Sequence, residues 1–295
     1  MSNIKTFLNN GVIQSYTDYE TEYVIAGDTD SAYIDLSAVF DKEDDIEDVI
    51  KFADEIGERT NAAFPQLMLD VFNSKPDRSE VIQTEREVVS DKSYFLGGKK
   101  MYVMHIVNNE GISVDKLKVM GVAIKKSDTA KIIQVFLREL VEMLMDKKTY
   151  EEVKEYLDSF EESYYNKSFL EVGKPMGIKS LKKYEVIYEE RNRKNMKNFP
   201  YHVRASMNYN SLCGSNDKKI VSGDKIRIVY LKHPKFKYIA VPVDVDVLPS
   251  FIDNLVIDWT KQWGTVVKKI DIFLEPIGYD RSSRQKKKLG GLLVY

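Results

Sequence analysis

The chain has 295 residues, 43% hydrophobic and 31% charged, which suits one large domain or two modest ones around a sizeable core and excludes wholesale disorder. No apolar run nears the roughly 18 residues of a membrane span, the N-terminus MSNIKTFLNNG lacks a secretory-signal pattern, and a single cysteine, Cys213, excludes a disulfide framework or a cysteine-based zinc site. The net charge of −2 conceals a division, because residues 1–98 hold 8 basic and 21 acidic side chains and the remainder is net basic.

In chain order, residues 4–10 predict a short helix broken at Gly11. TEYVIAGDTDSAYIDL reads as strand, tight turn, strand, with Gly27, Asp28, Thr29 and Asp30 at the tip. The segment from Asp41 to Phe64 predicts an amphipathic helix: Ile46, Val49, Ile50, Ala53 and Ile56 share one face, and the acidic first turn suits the helix dipole. Pro65 is expected to interrupt it, with QLMLDVF adding a further turn or two. VIQTEREVV, SYFLGGKKMYVMHIV and KLKVMGVAI read as strands, with a turn at Gly97-Gly98.

Ser127-Asp128 is expected to cap the helix TAKIIQVFLRELVEMLM, and Thr149 with Glu152 to form a capping box opening TYEEVKEYLDSFEESYY. VSGDKIRIVYL and YIAVPV read as strands, and SFIDNLVIDWTKQWG as a helix ended by Gly264. The tail DRSSRQKKKLGGLLVY is charged and then apolar. No internal repeat is present. The fold class is α+β, with a β-rich first third and a helix-rich remainder.

Chemistry concentrates in a few places. Residues 179–238 carry 15 basic and 5 acidic side chains interleaved with tyrosines and phenylalanines, which fits either a polyanion-binding surface or a solvated basic face. Asp28 and Asp30 place two carboxylates together, as Mg²⁺ sites with substrate phosphates require, although aspartates are equally at home in ordinary turns. A calcium loop is excluded, since Ala32, Tyr33 and Val39 occupy positions that need a ligand, Gly and Glu. His105, His202 and His233 are too scattered to predict a metal triad, and no base pattern accompanies Cys213.

The string YVIAGDTDSAYI resembles the GDTDS signature of family B DNA polymerases, in a context most like the T-even bacteriophage type. EREVV is similar to that family's Arg-Glu strand, GGKKMYVMHI to its Lys-Lys-Arg-Tyr motif, with Met101 at the Arg position, and KLKVMGVAIKKSDTAK to the segment leading from palm to thumb. FPYHVRASMNYN resembles the phage thumb's Pro-Phe-His-Ile-Arg-Gly stretch, with Ala205 at the Gly position. The resemblance covers essentially the whole chain.

It implies a palm portion over 1–123, an antiparallel sheet with helices, and over 124–295 a largely helical thumb with a small β subdomain and a tail. It implies catalytic and metal-binding roles for Asp28 and Asp30, with Glu87 a second-line ligand for two Mg²⁺ ions. DNA contacts fall to Lys99, Lys100, Tyr102, Lys125, Lys126, Thr129, His202 and Arg204. Leu292, Leu293 and Tyr295 stand where phage polymerases carry a sliding-clamp peptide, although the double glycine also fits a frayed tail.

The second metal-binding carboxylate motif, Asp-x-x-Ser-Leu-Tyr-Pro, and the nucleotide-gripping Lys-x-x-x-Asn-Ser-x-Tyr-Gly helix are not found in these 295 residues, nor is a proofreading exonuclease. The expectation is therefore the C-terminal subunit of a split DNA-directed DNA polymerase in the cytoplasm of a host bacterium, inactive alone. Its partners would be primer–template DNA, deoxynucleoside triphosphates and an N-terminal subunit with the remaining motifs. The alternative is a non-catalytic duplex-binding remnant.

Overall fold

The computed structural model describes residues 23–279 apart from 29, 42, 43, 76, 77, 79, 80, 194, 245 and 246, together with the backbone of 293 and 294. The helix expected at 4–10, the Leu292 and Tyr295 anchors and the side chain of Leu293 lie outside the described residues. Contacts divide the chain into two units, Met1–Met120 with Leu292–Tyr295, and Gly121–Gly291.

The first unit opens with the expected hairpin, β1 (Val24–Asp28) antiparallel to β2 (Ser31–Ile34). Helix α1 (Ile46–Phe72) follows, and the Asp45 carboxylate accepts from the Glu47 N–H at its start. The expected break at Pro65 does not occur: the helix runs through it and ends at Asn73, φ 50°. Proline forfeits one main-chain donor, but the Gln, Leu and Met that follow are strong helix formers and carry the helix on. Of its 27 residues only Ile56 is buried, while Leu67, Leu69, Val71 and Phe72 are exposed. Two polar ties hold it to the segment before the next strand. Asn61 exchanges hydrogen bonds with the main chain of Thr84 at 2.9 and 2.6 Å, and Arg86 pairs with Asp54 at 2.7 Å while donating to Asn108 at 2.8 Å.

Residues 82–87 are irregular, so the strand expected over VIQTEREVV begins only at its end. Strands β3 (Val88–Phe95), β4 (Tyr102–Asn109) and β5 (Ile112–Met120) form an antiparallel meander. Glu110 and Gly111, both at positive φ, make a two-residue turn between β4 and β5 whose twist matches its strands. A small core of Tyr102, Met104 and Ile106 takes Tyr33, Val88, Phe95 and Val114 against it.

The second unit starts with a 3-10 turn, Ala123–Lys125, and helix α2 (Lys131–Met145). Ile133, Phe136, Leu137, Leu140, Val141, Leu144 and Met145 are buried and form one face of the helix. The expected Ser127-Asp128 cap is absent: Ala130 occupies the cap without a side-chain bond, and Asp128 instead pairs with Lys174 at 3.0 Å. Helix α3 (Tyr150–Tyr164) carries the Thr149–Glu152 capping box as expected. A short α4 (Phe169–Val172) leads into β6 (Lys174–Gly177), α5 (Leu181–Glu190) and α6 (Tyr201–Leu212).

Strands β7 (Lys225–Tyr230) and β8 (Tyr238–Pro242) fall where the sequence places them and complete a sheet in the order β6-β7-β8. Helix α7 is Trp259–Leu274, capped by Asp258 and running through Gly264 rather than ending there; Ser250–Asn254 is a separate 3-10 turn. One interior glycine costs about 1 kcal/mol against alanine, too little to end a helix with so many buried residues. The core joins Val203, Ala205 and Tyr209 of α6 to Ile226, Ile228, Ile239 and Val241 of the sheet. Among α2, α3 and α7, Phe136 stacks on Phe160 with ring centroids 3.8 Å apart, and Tyr164 meets Trp263 at 5.3 Å. Finally β9 (Leu293–Val294) pairs by its backbone with Ser93 and Tyr94 of β3 in the first unit. No described helix is long and apolar enough to cross a membrane.

Gly173 joins α4 to β6 at an ordinary φ of −65°, yet a Cβ there would lie 2.6 Å from Cβ of Arg227 and 2.9 Å from the Phe169 carbonyl. Glycine is required by space rather than by backbone angle. Gly173→Ala is expected to destabilise the second unit by about 1–3 kcal/mol, the usual cost of overpacking, read as a lower midpoint in urea unfolding.

Candidate functional site

Asp28 and Ser31 are cross-strand partners, so only two residues close the β1–β2 hairpin. The Asp28 carbonyl accepts the Asp30 N–H at 2.6 Å and the Ser31 hydroxyl at 3.2 Å, which fixes the turn and leaves Asp30 exposed at its tip. The Asp28 carboxylate takes the Lys100 ammonium at 2.9 Å. That contact raises the Lys100 pKa, by the hydrogen bond to Asp28 first and by its charge second.

Lys100 arrives through a strained turn. Gly97 (φ 69°) and Lys100 (φ 57°) are both left-handed, and holding a lysine there costs about 1 kcal/mol. Two main-chain bonds close the turn, from Leu96 N–H to Met101 and from Met101 N–H to Gly98. Met101 lies so close to Gly98 that a Cβ on the glycine would clash with its sulfur.

Tyr102, next in the chain, is only 7% exposed and accepts a 2.8 Å hydrogen bond from the Tyr33 hydroxyl. Burial, and secondly that bond, hold its phenol well above the ordinary tyrosine pKa. The structure thus places Asp28, Asp30, Lys100 and Tyr102 together. Lys99 is exposed on the turn. Tyr102 is sunk into the small core rather than presented on a surface.

The Glu87 carboxylate pairs with Lys118 at 3.5 Å and its carbonyl accepts the Glu110 N–H at 2.8 Å, while its charge, like that of Asp28, acts on the Tyr102 phenol. Among the described residues no three His, Cys, Asp or Glu side chains gather into a group that could hold a metal ion. Asp28 and Asp30 nonetheless offer the hard oxygen donors that Mg²⁺ prefers, and Mg²⁺ commonly takes one or two carboxylates with substrate phosphates completing its shell. The donor set fits half of such a site.

The remaining expected contacts fall in the second unit. Lys125 and Lys126 are exposed beside the 3-10 turn, and the Lys126 carbonyl accepts from the Gln134 side chain at 2.9 Å. Thr129 is only 3% exposed, with its hydroxyl buried, so it is not presented to a ligand. His202 is half-buried with its ring 5.8 Å from that of Tyr201, and burial lowers its pKa, leaving it neutral at physiological pH. The Arg204 guanidinium lies 5.3 Å over the Tyr238 ring, while its Nε is buried without a hydrogen-bond partner among the described residues.

Sequence reasoning missed Tyr33, whose partner is 69 residues away, and Asn61, which ties α1 to Thr84. It also missed a role for His105. That imidazole bridges Asp91 at 2.6 Å and Asp115 at 2.7 Å, linking β3, β4 and β5. Its pKa is raised, chiefly by the bond to Asp115, against burial and with further help from Asp91.

Comparison with known proteins gives a consistent result. Over 265 residues, 81% of this chain, the sequence is 25% identical to the DNA-directed DNA polymerase of Enterobacteria phage T4. Over 227 residues, 71% of the chain, it is 24% identical to the DNA-directed DNA polymerase of Escherichia phage RB69. These matches cover 28% and 24% of the two relatives, so the chain spans about a quarter of the length of the proteins it matches. No protein-family model matches the chain.

The His105 bridge has a pH signature. A histidine with a raised folded-state pKa contributes stability that is complete below its unfolded value of about 6.5 and is lost as pH rises through the folded value. Unfolding midpoints measured from pH 6 upward are therefore expected to fall in the wild type more steeply than in His105→Gln. Equal slopes would remove the charged bridge.

Proposed function

We propose that this chain supplies part of the active site of a DNA-directed DNA polymerase: the palm hairpin with its metal-binding carboxylates, and a thumb that holds duplex DNA. The observation that carries this reading is the Asp28–Asp30 hairpin with Lys100 locked onto Asp28, in a chain similar over most of its length to two phage polymerases. The reaction is attack of a primer 3′-hydroxyl on the α-phosphorus of a deoxynucleoside triphosphate, with pyrophosphate leaving. Bound Mg²⁺ would supply the charge stabilisation and hydroxyl activation this transfer needs.

The chain's own residues divide the remaining work. Asp30, exposed at the turn, is the principal metal-facing carboxylate, and Asp28 supports it while its charge is balanced by Lys100. Tyr33 and Tyr102 fix the hairpin against the sheet. Lys99 is the residue of the turn best placed to meet a DNA strand. Glu87, paired with Lys118, is the second-line carboxylate of the site.

The second essential carboxylate and the nucleotide-binding helix come from polypeptide outside these residues, in our reading a partner subunit in the host bacterial cytoplasm. The first unit favours such a partner. A 27-residue helix with one buried side chain and an exposed apolar end of Leu67, Leu69, Val71 and Phe72 leaves hydrophobic surface for another segment to cover.

The test is primer extension with Mg²⁺ and all four nucleotides, using this chain alone and then with the polypeptide carrying the missing motifs. Synthesis is expected only in the mixture. Asp30→Ala is expected to reduce it by about 1,000-fold, the loss of several kcal/mol of transition-state stabilisation, with duplex binding retained. A mixture that binds duplex but makes no product would instead identify a non-catalytic remnant.

A further inference from the structure

The two ends of β3 differ in how they meet their neighbours. Its inner side pairs with β4 from Val88 to Phe95, but that ladder shifts register between Val89 and Ser90 and again between Ser90 and Lys92. Asp91 and Lys92 add charged side chains at the same place. Bulges and charges are the devices that keep a sheet edge from recruiting further strands. Beyond them the strand is regular and uncharged: Ser93, Tyr94 and Phe95 pair in step with Met104, Val103 and Tyr102. This regular stretch is the one that β9 joins on the outer side, with Val294 opposite Ser93 and Leu293 opposite Tyr94.

The sequence of the incoming strand suits that edge. Leu292, Leu293 and Val294 form an uncharged apolar run, which a sheet edge accepts readily. Lys286, Lys287 and Lys288 stand just upstream, whereas residues 1–98, which include β3, hold 8 basic and 21 acidic side chains, so charge draws the segment towards the unit it joins. The chain leaves the first unit at Met120 and returns to it at Leu292. The point of return lies next to the candidate site in the chain: β3 ends at Phe95, and Leu96 opens the turn that carries Lys100 to Asp28. The bond from the Leu96 N–H to Met101 is the first of the two that close this turn.

We propose that the outer edge of β3 at Ser93 and Tyr94 is a strand-accepting site, and that Leu293–Val294 is its resident occupant, a strap that steadies the turn carrying Lys100 to Asp28. The inference goes beyond the polymerase reading, because it holds or fails on strand pairing whether or not the chain takes part in DNA synthesis. A strand paired on one side opens more readily than one paired on both, and opening at Phe95 loosens the Leu96–Met101 bond that follows it. Main-chain pairing tolerates many side chains but not the loss of a donor. In an antiparallel pair, successive N–H groups point to opposite sides, so one of Leu293 and Val294 donates towards β3 and the other away from it.

The experiment is hydrogen exchange read by mass spectrometry over residues 93–101, in the full chain and in its variants Leu293→Pro and Val294→Pro. Proline removes one donor and is accepted in an edge strand where that donor faces outward. Exchange over 93–101 is expected to quicken about tenfold in one variant, the change that one or two hydrogen bonds make to an opening equilibrium, and to stay near wild type in the other. Residues 131–145 are expected to exchange at the wild-type rate in both, which separates loss of the strap from general unfolding. The proposal is overturned if both variants exchange like the wild type, or if both quicken alike, as lost apolar contact would make them. A full chain that is dimeric in solution, and monomeric in the variant that quickens, overturns it in favour of strands exchanged between two copies. Primer extension has no part in this readout, so each of these results leaves the polymerase reading standing.

Discussion

Asp28 ends β1 and Asp30 is exposed in the two-residue turn that follows it, and the candidate site depends on one contact that holds the first of these carboxylates in place. The Lys100 ammonium, from another element, stands 2.9 Å from Asp28. Its position depends on a turn containing two left-handed residues, of which only Gly97 adopts that conformation without strain. The following residue, Tyr102, ties the same turn to β2 through Tyr33. Consecutive groups along a few residues of chain thus fix the hairpin at its charged tip and along its side. Polar contacts, rather than apolar area, set the geometry of the carboxylates.

The two units achieve order by different means. In the second, α2 buries seven of its residues and aromatic contacts run from Phe136 through Phe160 and Tyr164 to Trp263, so its shape follows from packing. In the first, the buried residues of the sheet, among them Tyr94, Val103 and Ile106, are supplemented by hydrogen-bonded ties such as Asn61–Thr84 and Arg86–Asp54. Polar ties give direction but little net stability, since each replaces bonds to water.

Local patterns in the sequence carried much of the fold. The hairpin at Asp28–Asp30, the capping box at Thr149 and Glu152, the buried face of α2 and the strands β7 and β8 all follow from residues within a few positions of one another. Several misreadings come from giving punctuation residues too much weight. Pro65 lies inside a helix because the residues after it favour helix, Gly264 because the buried side chains of its helix outweigh a cost of about 1 kcal/mol, and Asp128 forgoes a capping role for a lysine on a distant strand. At the candidate site the resemblance named Asp28, Lys100 and Tyr102, but neither pattern nor resemblance indicated that Tyr102 would be buried against Tyr33. Partners tens of residues apart leave no local periodicity, so Tyr33 and Lys174 came to light only in three dimensions.

The long, scarcely buried helix α1 also has a consequence for the dynamics of the chain. Amide protons exchange with solvent through the cheapest opening that frees them, and an element with one fully buried side chain, an edge-on contact of Phe52 with Phe40 and two polar ties is expected to open locally before the molecule unfolds. The amides of α2, enclosed by seven buried side chains, have no comparable shortcut. One polypeptide therefore contains two clocks, a fast one over residues 46–72 and a slow one over residues 131–145. Covering the exposed end of α1 would slow the first and leave the second unchanged.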